Sequence, residues 1–271
     1  MTYPWTGPLS YSLLKLLDPE LGSPAEFLHA CHAPHTATDA MKLGTLVHWH
    51  LLGGPPERAP LVYSASKTTG DGAVKAWRAF QAAHAGEEIF SGADNGAAIA
   101  IAQAVRTAPH SAAAREWLED AETEVALEWD LGGFRMATRG VDILQPGRKR
   151  LADVKKCSSV RRYMLTRQIG SLRYPEQLVV YEAAVRACRF DPVGGSAILA
   201  VCEEAPYCTL VLPLAAAGRI AARARVSSWL ATLRQCLDAD TWPGPAGWEI
   251  EPPPWEQQPL EGEADLPAGT P

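Results

Sequence analysis

The feature that most constrains the fold is a group of three short strand patterns between residues 124 and 157. Polar and apolar residues alternate in the first of them, and alternation with period two is typical of half-buried strands. Glycine and proline mark the connections, as they do in tight turns. In chain order the segments are the run 124–129, the Gly132-Gly133 turn, the run ending at Leu144, the turn 145–147 and the run 150–157. They predict a three-stranded antiparallel meander.

Two aspartates flank the second turn of this meander. Asp142 and Asp153 lie at equal sequence distances from it, so a symmetric hairpin makes them cross-strand neighbours with Cβ atoms roughly 5 Å apart. Like charges in that position destabilise a sheet. A cation between them resolves the conflict, and magnesium or manganese suits paired carboxylates best. The alternative is a solvated hairpin with scattered charges.

A lysine completes the predicted cluster. Lys155 follows Asp153 by two residues, and side chains two apart in a strand point to the same face. The three residues Asp142, Asp153 and Lys155 therefore form one group, with two metal ligands and one fixed positive charge.

Composition indicates a soluble globular protein. The 271 residues suffice for one large core or two modest ones, 47% of them are hydrophobic, and no apolar run approaches the length of a membrane span. The N-terminus has neither the charged region nor the apolar region of a signal peptide, so we expect a cytoplasmic protein without membrane contact. The six cysteines include no C-x-x-C pair, which favours reduced thiols over a disulfide framework.

Charge is distributed unevenly along the chain. Residues 249–271 hold six acids and no Lys or Arg, which accounts for the whole net charge of -6. Residues 148–173 hold nine Lys or Arg against the single acid Asp153, a local balance of +8. A basic segment beside a candidate metal site is suited to binding phosphates. A solvated basic helix face is the alternative.

The remaining segments predict an α/β (α+β) fold with a central mixed sheet flanked by helices. We expect a helical N-terminal region over 1–120, a core over 121–238 and a disordered, acidic and proline-rich tail over 239–271. The helical patterns cover 9–17, 24–31, 38–52, 72–84, 93–106, 111–120, part of 158–170, 174–185 and 213–237, and further strands cover 196–204 and 207–212.

Two predicted helices carry polar groups that invite a functional interpretation. In 38–52, Gly44 permits close packing and His48 follows one turn later, where a buried histidine with satisfied hydrogen bonds competes with a metal ligand. In the helix that begins near Tyr174, Gln177 and Tyr181 lie four residues apart on one face. They could orient a DNA phosphate or a nucleophilic water.

Together these motifs resemble the PD-(D/E)xK nucleases. Gly44…His48, Asp142, Asp153-x-Lys155 and Gln177-x-x-x-Tyr181 follow in the order seen in the RecB/RecE branch, which includes lambda exonuclease-like enzymes, and are most similar to phage and prophage RecE-type exonucleases. The likeness covers roughly residues 9–237. Lys156 departs from the family, which usually has a small hydroxyl residue there.

The resemblance implies roles for individual residues. One or two Mg²⁺ ions, with Mn²⁺ as a possible substitute, are expected on Asp142, Asp153, the Val154 carbonyl, His48 and Glu124, although neighbouring Glu128 competes with Glu124. Asp142, Asp153, Lys155, Gln177 and Tyr181 form the expected catalytic set. The expected DNA-binding residues are Arg139, Lys156, Arg161, Arg162, Arg167 and Arg173.

The function implied is degradation of linear double-stranded DNA from the 5′ end, exposing a 3′ single strand for recombination by an annealing protein. A homo-oligomeric ring around the duplex is implied as well. Two other functions fit the same residues: a RecB-like nuclease that acts on single strands or cuts internally, and a catalytically inactive DNA-binding protein derived from a nuclease.

Overall fold

The structure is a computed structural model that describes residues 3–33, 39–54, 59–65 and 70–247. Within these ranges the strands are β1 (Leu61–Tyr63), β2 (Ile89–Ser91), β3 (Glu122–Leu131), β4 (Phe134–Gln145), β5 (Arg150–Cys157), β6 (Gly195–Cys202) and β7 (Thr209–Pro213). The α-helices are α1 (Tyr11–Leu14), α2 (Pro24–His32), α3 (Asp39–Leu52), α4 (Asp71–Ala83), α5 (Gly92–Thr107), α6 (Ala112–Leu118), α7 (Arg162–Ser171), α8 (Tyr174–Cys188) and α9 (Ala216–Ala239).

The predicted meander forms one side of a five-stranded mixed sheet with the order β3-β4-β5-β6-β7. β3 pairs antiparallel with β4, and β4 with β5. Gly132 and Gly133 connect the first pair with φ of 62° and 86°, a conformation that glycine adopts without steric cost. Helices α7 and α8 then cross over to β6, which is parallel to β5, and β7 returns antiparallel. The predicted α/β class and mixed sheet are confirmed.

Helices cover both faces of the sheet because its central strands are apolar on both sides. Along β5, Leu151 and Cys157 pack with α8 and α9, whereas Ala152 and Val154 face α3 and α5. This alternation places Asp153 and Lys155 on the face of α8. Asp153 therefore lies where a polar helix face can reach it.

The N-terminal segment forms hydrogen bonds with the part of β4 that does not pair with β5. The β4–β5 ladder covers only Ile143 to Gln145 of β4, which leaves the first half of that strand without a partner on one side. Leu9 fills the space: its N–H donates to the Arg135 carbonyl at 2.9 Å, and its carbonyl accepts from Ala137 N–H at 2.8 Å. Residues before α1 are thus part of the same sheet.

Local capping explains where α2 begins. The Ser23 hydroxyl accepts a hydrogen bond from Glu26 N–H at 3.3 Å and donates to the Glu26 carboxylate at 2.8 Å. This is the reciprocal arrangement of a capping box, with Pro24 in the first turn. The predicted start of this helix is confirmed.

The structure departs in two details from the expectations about the first hundred residues. The connection before α5 contains two parallel strands, β1 and β2, joined by α4, so the N-terminal region is not wholly helical. Each strand has three residues, too few to produce a periodic pattern. Gly44 mediates no close packing, because a Cβ at that position would meet no described atom within 4 Å.

The predicted tail begins with packed residues. The Trp242 ring stacks on Phe27 with centroids 6.0 Å apart, and the Pro243 carbonyl accepts a hydrogen bond from Ala25 N–H at 3.1 Å. Apolar burial therefore holds the chain beyond α9, contrary to the expected disorder from residue 239. The acidic residues 249–271 lie outside the described residues.

Among the described helices, none combines the length and apolar character needed to cross a bilayer.

Candidate active site

The two aspartates meet where β4 and β5 separate. The ladder ends at the Ile143–Ala152 pair, and the same register extended by one residue pairs Asp142 with Asp153. Beyond that point Asp142 Oδ2 accepts a hydrogen bond from Val154 N–H at 2.7 Å. Asp142 and Asp153 are 5% and 1% exposed. Both predicted carboxylates are therefore buried at one point of the sheet.

Lys155 faces Asp153, as the strand period predicts. Its Nζ lies 2.6 Å from Asp153 Oδ2 and over the Tyr174 ring, 5.1 Å from the centroid. Burial lowers the pKa of Lys155, but the carboxylates of Asp153 and Asp142 outweigh burial and hold that pKa above its ordinary value. The ammonium is a permanent positive charge.

Helix α8 supplies hydrogen-bond donors to the same carboxylate. Gln177 Nε2 donates to Asp153 Oδ1 at 3.1 Å and to the Tyr181 hydroxyl at 3.0 Å. Burial and the Asp153 charge raise the pKa of Tyr181, so its phenol stays protonated. The structure thus brings Gln177 and Tyr181 together beside Asp153: the amide contacts the carboxylate, and the phenol contacts the amide.

His48 reaches the site from α3 on the opposite face. Its Nε2 lies 3.0 Å from the Val154 carbonyl oxygen, and its Nδ1 lies 3.5 Å from Glu124 Oε1 and 3.6 Å from Asp142 Oδ1. A carbonyl only accepts, so Nε2 carries a hydrogen and Nδ1 is aimed at the acids. This is the orientation that backbone carbonyls impose on metal-binding histidines. The Val154 carbonyl, expected as a metal ligand, instead accepts a hydrogen bond from the His48 imidazole.

The protonation of His48 and Asp142 reflects their mutual contact. Burial lowers the pKa of His48, but Asp142 and Glu124 outweigh it and raise the pKa to about 9. Burial raises the pKa of Asp142 to about 7, with His48 opposing the shift and Asp153 adding to it. A proton therefore resides among these groups at neutral pH.

The donor set fits a divalent cation. The ligand atoms of His48, Glu124 and Asp142 all lie within 4.8 Å of one another. Asp153 Oδ2 is buried and accepts no hydrogen bond of good geometry from a described residue, although the Lys155 ammonium lies beside it. Carboxylate oxygens with one imidazole suit magnesium or manganese.

Glu124, and not Glu128, reaches this site. A bulge in β3 between Val125 and Leu127 and a φ of 51° at Glu124 turn that residue inward. Gly140 on β4 makes room, since a Cβ there would lie 2.4 Å from Glu124 Oε2. Glu128 instead pairs with Arg135 on the exposed part of the hairpin at 2.6 Å.

The basic residues divide into two groups. Arg139, Arg161, Arg162 and Arg167 are exposed, and none of the four forms an ion pair with a described residue. Lys156 is bound to Glu203 across β5 and β6. The basic segment is therefore only partly available to a phosphate.

Arg173 is placed away from the expected DNA surface. It is 8% exposed, its Nε donates to Asp18 at 2.8 Å and its guanidinium also binds Glu20. Its carbonyl accepts from the buried Tyr11 hydroxyl, and its φ is 57°. These contacts fasten the N-terminal segment to the start of α8, a structural role that sequence spacing does not distinguish from phosphate binding.

A groove of about 830 Å³ leads to the acids from the α3 side. Thr45, His48 and Trp49 form one wall, and the β1–β2 pair contributes Leu61 and Phe90. Arg139 and Glu124 lie along it as well. The strands that the sequence did not predict thus shape the entrance to the site.

Lys15 lies close enough to Lys155 for their charges to interact, and the motifs did not indicate this. Burial lowers its pKa, and the neighbouring Lys155 ammonium lowers that pKa further. No described acid pairs with Lys15. It follows α1, more than a hundred residues from the meander, so no local pattern signals its position.

Comparison with known proteins identifies a family and a similar fold. A family model described as a PDDEXK-like domain of unknown function (DUF3799) matches residues 10–249. A candidate exonuclease from Eubacterium rectale has a similar structure, with a TM-score of 0.57 and 14% identity over 91% of this chain and 90% of that chain. A phage related exonuclease from Haemophilus somnus 129PT gives a TM-score of 0.33 and 14% identity over 77% of this chain and 98% of that chain. No curated protein matches the chain.

The family match spans most of the chain and includes every residue of the site. The Eubacterium rectale structure supports the fold. With acids, lysine and α8 amide arranged as the sequence motifs predicted, the chain belongs to this family of PDDEXK-like domains and is a nuclease of the PDDEXK-like type.

Proposed function

We propose that the chain is a magnesium-dependent exodeoxyribonuclease. It degrades linear double-stranded DNA from the 5′ end and leaves a 3′ single strand for recombination by annealing. The observation that carries the proposal is the meeting of His48, Glu124 and Asp142 beside the Asp153–Lys155 pair. The polarity, the duplex substrate and the recombination role follow from the RecE-type sequence resemblance.

Three residues are suited to hold the cation: His48 through Nδ1, and Glu124 and Asp142 through carboxylate oxygens. Asp153 lies beside them, and its buried Oδ2 is in contact with the Lys155 ammonium. A bound Mg²⁺ would supply Lewis acidity toward the phosphate and lower the pKa of a water.

Side chains of the protein orient Asp153 and neutralise charge on the phosphate. Lys155 keeps its proton, so its ammonium can neutralise charge that develops on the scissile phosphate. Gln177 and Tyr181 act on Asp153: the amide donates to one carboxylate oxygen and the phenol fixes the amide. They are positioning residues, because they hold the acid in the direction that the cation requires.

We also propose that the protein works as a homo-oligomeric ring around the duplex and delivers its product to a single-strand annealing protein. The sequence resemblance supports both. An oligomer mass in sedimentation equilibrium that is a multiple of the chain mass supports the ring, and a monomer at working concentration contradicts it.

Digestion of end-labelled DNA tests the proposed activity. We expect Mg²⁺ to cause loss of the 5′ label from a linear duplex, EDTA to prevent it, and a covalently closed circle to remain intact. Asp153→Ala and Lys155→Met should be inactive. Asp191→Ala, which removes an exposed carboxylate paired with Arg186, is the matched control and should retain wild-type activity.

Other outcomes select the alternatives. Cleavage of the circle identifies an endonuclease, because a ring threaded by a DNA end cannot act there. Binding of DNA with no cleavage in Mg²⁺ or Mn²⁺ identifies an inactive DNA-binding protein.

A further inference from the structure

Helix α7 is fixed next to the active-site strand. Gln168 Nε2 donates to the Lys156 carbonyl at 3.0 Å and lies 3.2 Å from the Tyr174 hydroxyl. Leu165 is buried in the core on the same inner face. Since Lys156 directly follows Lys155, these contacts set the position of α7 relative to the catalytic lysine.

The outer face of α7 carries an aromatic ring without an apparent packing function. Tyr163 is 71% exposed. Arg162, Thr166 and Arg167 surround it and line a shallow depression of about 680 Å³ with it. An aromatic ring presented to solvent between two arginines leaves its face open to a partner, and a tyrosine ring combines an apolar face with a polar hydroxyl.

Charge indicates what covers this face. Residues 154–175 contain no Asp or Glu. Arg161, Arg162 and Arg167 form no ion pair with a described residue. The face therefore complements a polyanion.

The pairing of an aromatic ring with arginines selects one form of nucleic acid. Platforms for single strands combine cations that follow the phosphates with aromatic rings on which unpaired bases stack. A duplex keeps its bases stacked within the helix and offers the ring no base surface. Tyr163 lies five residues before Gln168, about 7.5 Å along the helix axis from the residue that contacts β5.

We propose that the outer face of α7 binds single-stranded DNA adjoining the active site, with Tyr163 stacking on an unpaired base and Arg162 and Arg167 contacting its phosphates. This inference rests on the proposed nuclease function for the identity of the ligand. It adds a preference for single-stranded over duplex DNA: the α7 surface binds the DNA where its two strands have separated.

Fluorescence anisotropy of the full-length protein in EDTA tests the proposal without cleavage. The probes are a labelled oligothymidylate and a labelled blunt duplex of the same length. We expect Tyr163→Ala to weaken oligothymidylate binding by roughly 5- to 100-fold, the range for loss of one stacked base, and to change duplex binding far less. Tyr163→Phe, which keeps the ring, should stay within about twofold of wild type.

Ile220→Ala is the matched control, since Ile220 is 70% exposed on α9 and lies outside the proposed surface. It should bind both probes as the wild type does. Thermal unfolding followed by circular dichroism checks that each variant is folded. Unchanged oligothymidylate binding by Tyr163→Ala overturns the proposal, as does an equal loss for both probes.

Cleavage measured in parallel separates the two proposals. If the wild type degrades linear DNA and Tyr163→Ala binds oligothymidylate normally, the α7 inference fails alone. If the wild type degrades nothing while Tyr163→Ala loses single-strand binding selectively, the α7 inference stands and the proposed nuclease activity fails.

Discussion

At the residue scale, the site depends on side chains that hold other side chains. Asp153 receives one hydrogen bond from Gln177 and one charge contact from Lys155. His48 is held in turn by the Val154 carbonyl. Such supporting contacts decide whether oxygen and nitrogen ligands point at a common cation.

Gln177→Leu should therefore impair the reaction without removing any ligand. The substitution leaves Asp153 Oδ1 without its donor, and loss of a supporting hydrogen bond typically reduces metal affinity or activity by roughly 10- to 100-fold. We expect a higher Mg²⁺ concentration for half-maximal cleavage. Titration of the cleavage rate with Mg²⁺ measures it.

Tyr181→Phe is the milder companion, because Gln177 keeps its bond to Asp153. It should show a smaller shift in the Mg²⁺ requirement than Gln177→Leu. Equal Mg²⁺ requirements in Gln177→Leu and wild type would contradict the positioning role.

At the scale of elements, the N-terminal segment is joined to α8 by a buried ion pair. Arg173 binds Asp18 and Glu20, and Arg225 on α9 lies 3.8 Å from Asp18. Burial raises the pKa of Asp18, but hydrogen bonds and charge from Arg173 outweigh it and hold the pKa below its ordinary value. A lowered folded-state pKa stabilises the protein at pH values above the unfolded pKa, about 3.9.

Asp18→Asn should destabilise the protein at pH 7 by about 3 kcal/mol, because it leaves the buried Arg173 without its main partner. The stability difference from wild type should shrink as the pH falls below about 4, since protonation of Asp18 then removes the same interaction in the wild type. Urea unfolding at neutral and acidic pH measures both effects.

Glu20→Gln provides the comparison for this ion pair. The Glu20 side chain is 75% exposed, so its loss should cost less than about 1 kcal/mol. A pH-independent difference between Asp18→Asn and wild type would refute the assigned coupling.

At the scale of the whole molecule, two extended properties follow from the site. The groove and α7 expose arginines that lack ion-pair partners among the described residues, and ligand atoms of His48, Glu124 and Asp142 cluster within 4.8 Å of one another. DNA binding should therefore depend on salt concentration, and metal binding should change the stability of the whole protein.

The salt dependence of DNA binding should report the exposed arginines. Each phosphate contact contributes about 0.9 to the slope of log K against log salt concentration on duplex DNA, and about 0.7 on a single strand. Replacing Arg161, Arg162 and Arg167 by alanine should lower the slope by roughly 2. Anisotropy titrations at several salt concentrations give the value.

Arg186→Ala with Arg189→Ala is the control for that measurement. Both arginines are already paired, with Asp191 and Glu122 respectively. The slope of this double variant should equal that of wild type, and an unchanged slope in the triple variant would contradict a role of α7 in phosphate binding.

Mg²⁺ should stabilise the folded protein, because only the folded chain assembles the ligands. A cation at 100 times its Kd adds about 2.7 kcal/mol to the free energy of unfolding. We expect the Tm to rise with Mg²⁺ or Mn²⁺ and to return to its starting value with EDTA. Glu124→Gln should reduce the rise, whereas Glu128→Gln, the matched change on the same strand, should leave it intact.

The sequence by itself determined the meander, the shared face of Asp153 and Lys155, and the four-residue spacing of Gln177 and Tyr181. These follow from strand and helix periodicity, which acts over a few residues and is written in local composition. The cross-strand placement of Asp142 followed from symmetry about one turn.

Only the tertiary structure decided which of several similar residues reaches the site and which has a structural role. Glu124 and Glu128 are equivalent in pattern, but the bulge in β3 and the space beside Gly140 admit Glu124 alone. Arg173 belongs to a basic run, yet contact with Asp18 and Glu20 removes it from the surface. Such outcomes depend on packing between elements far apart in the chain, and no local pattern encodes that packing.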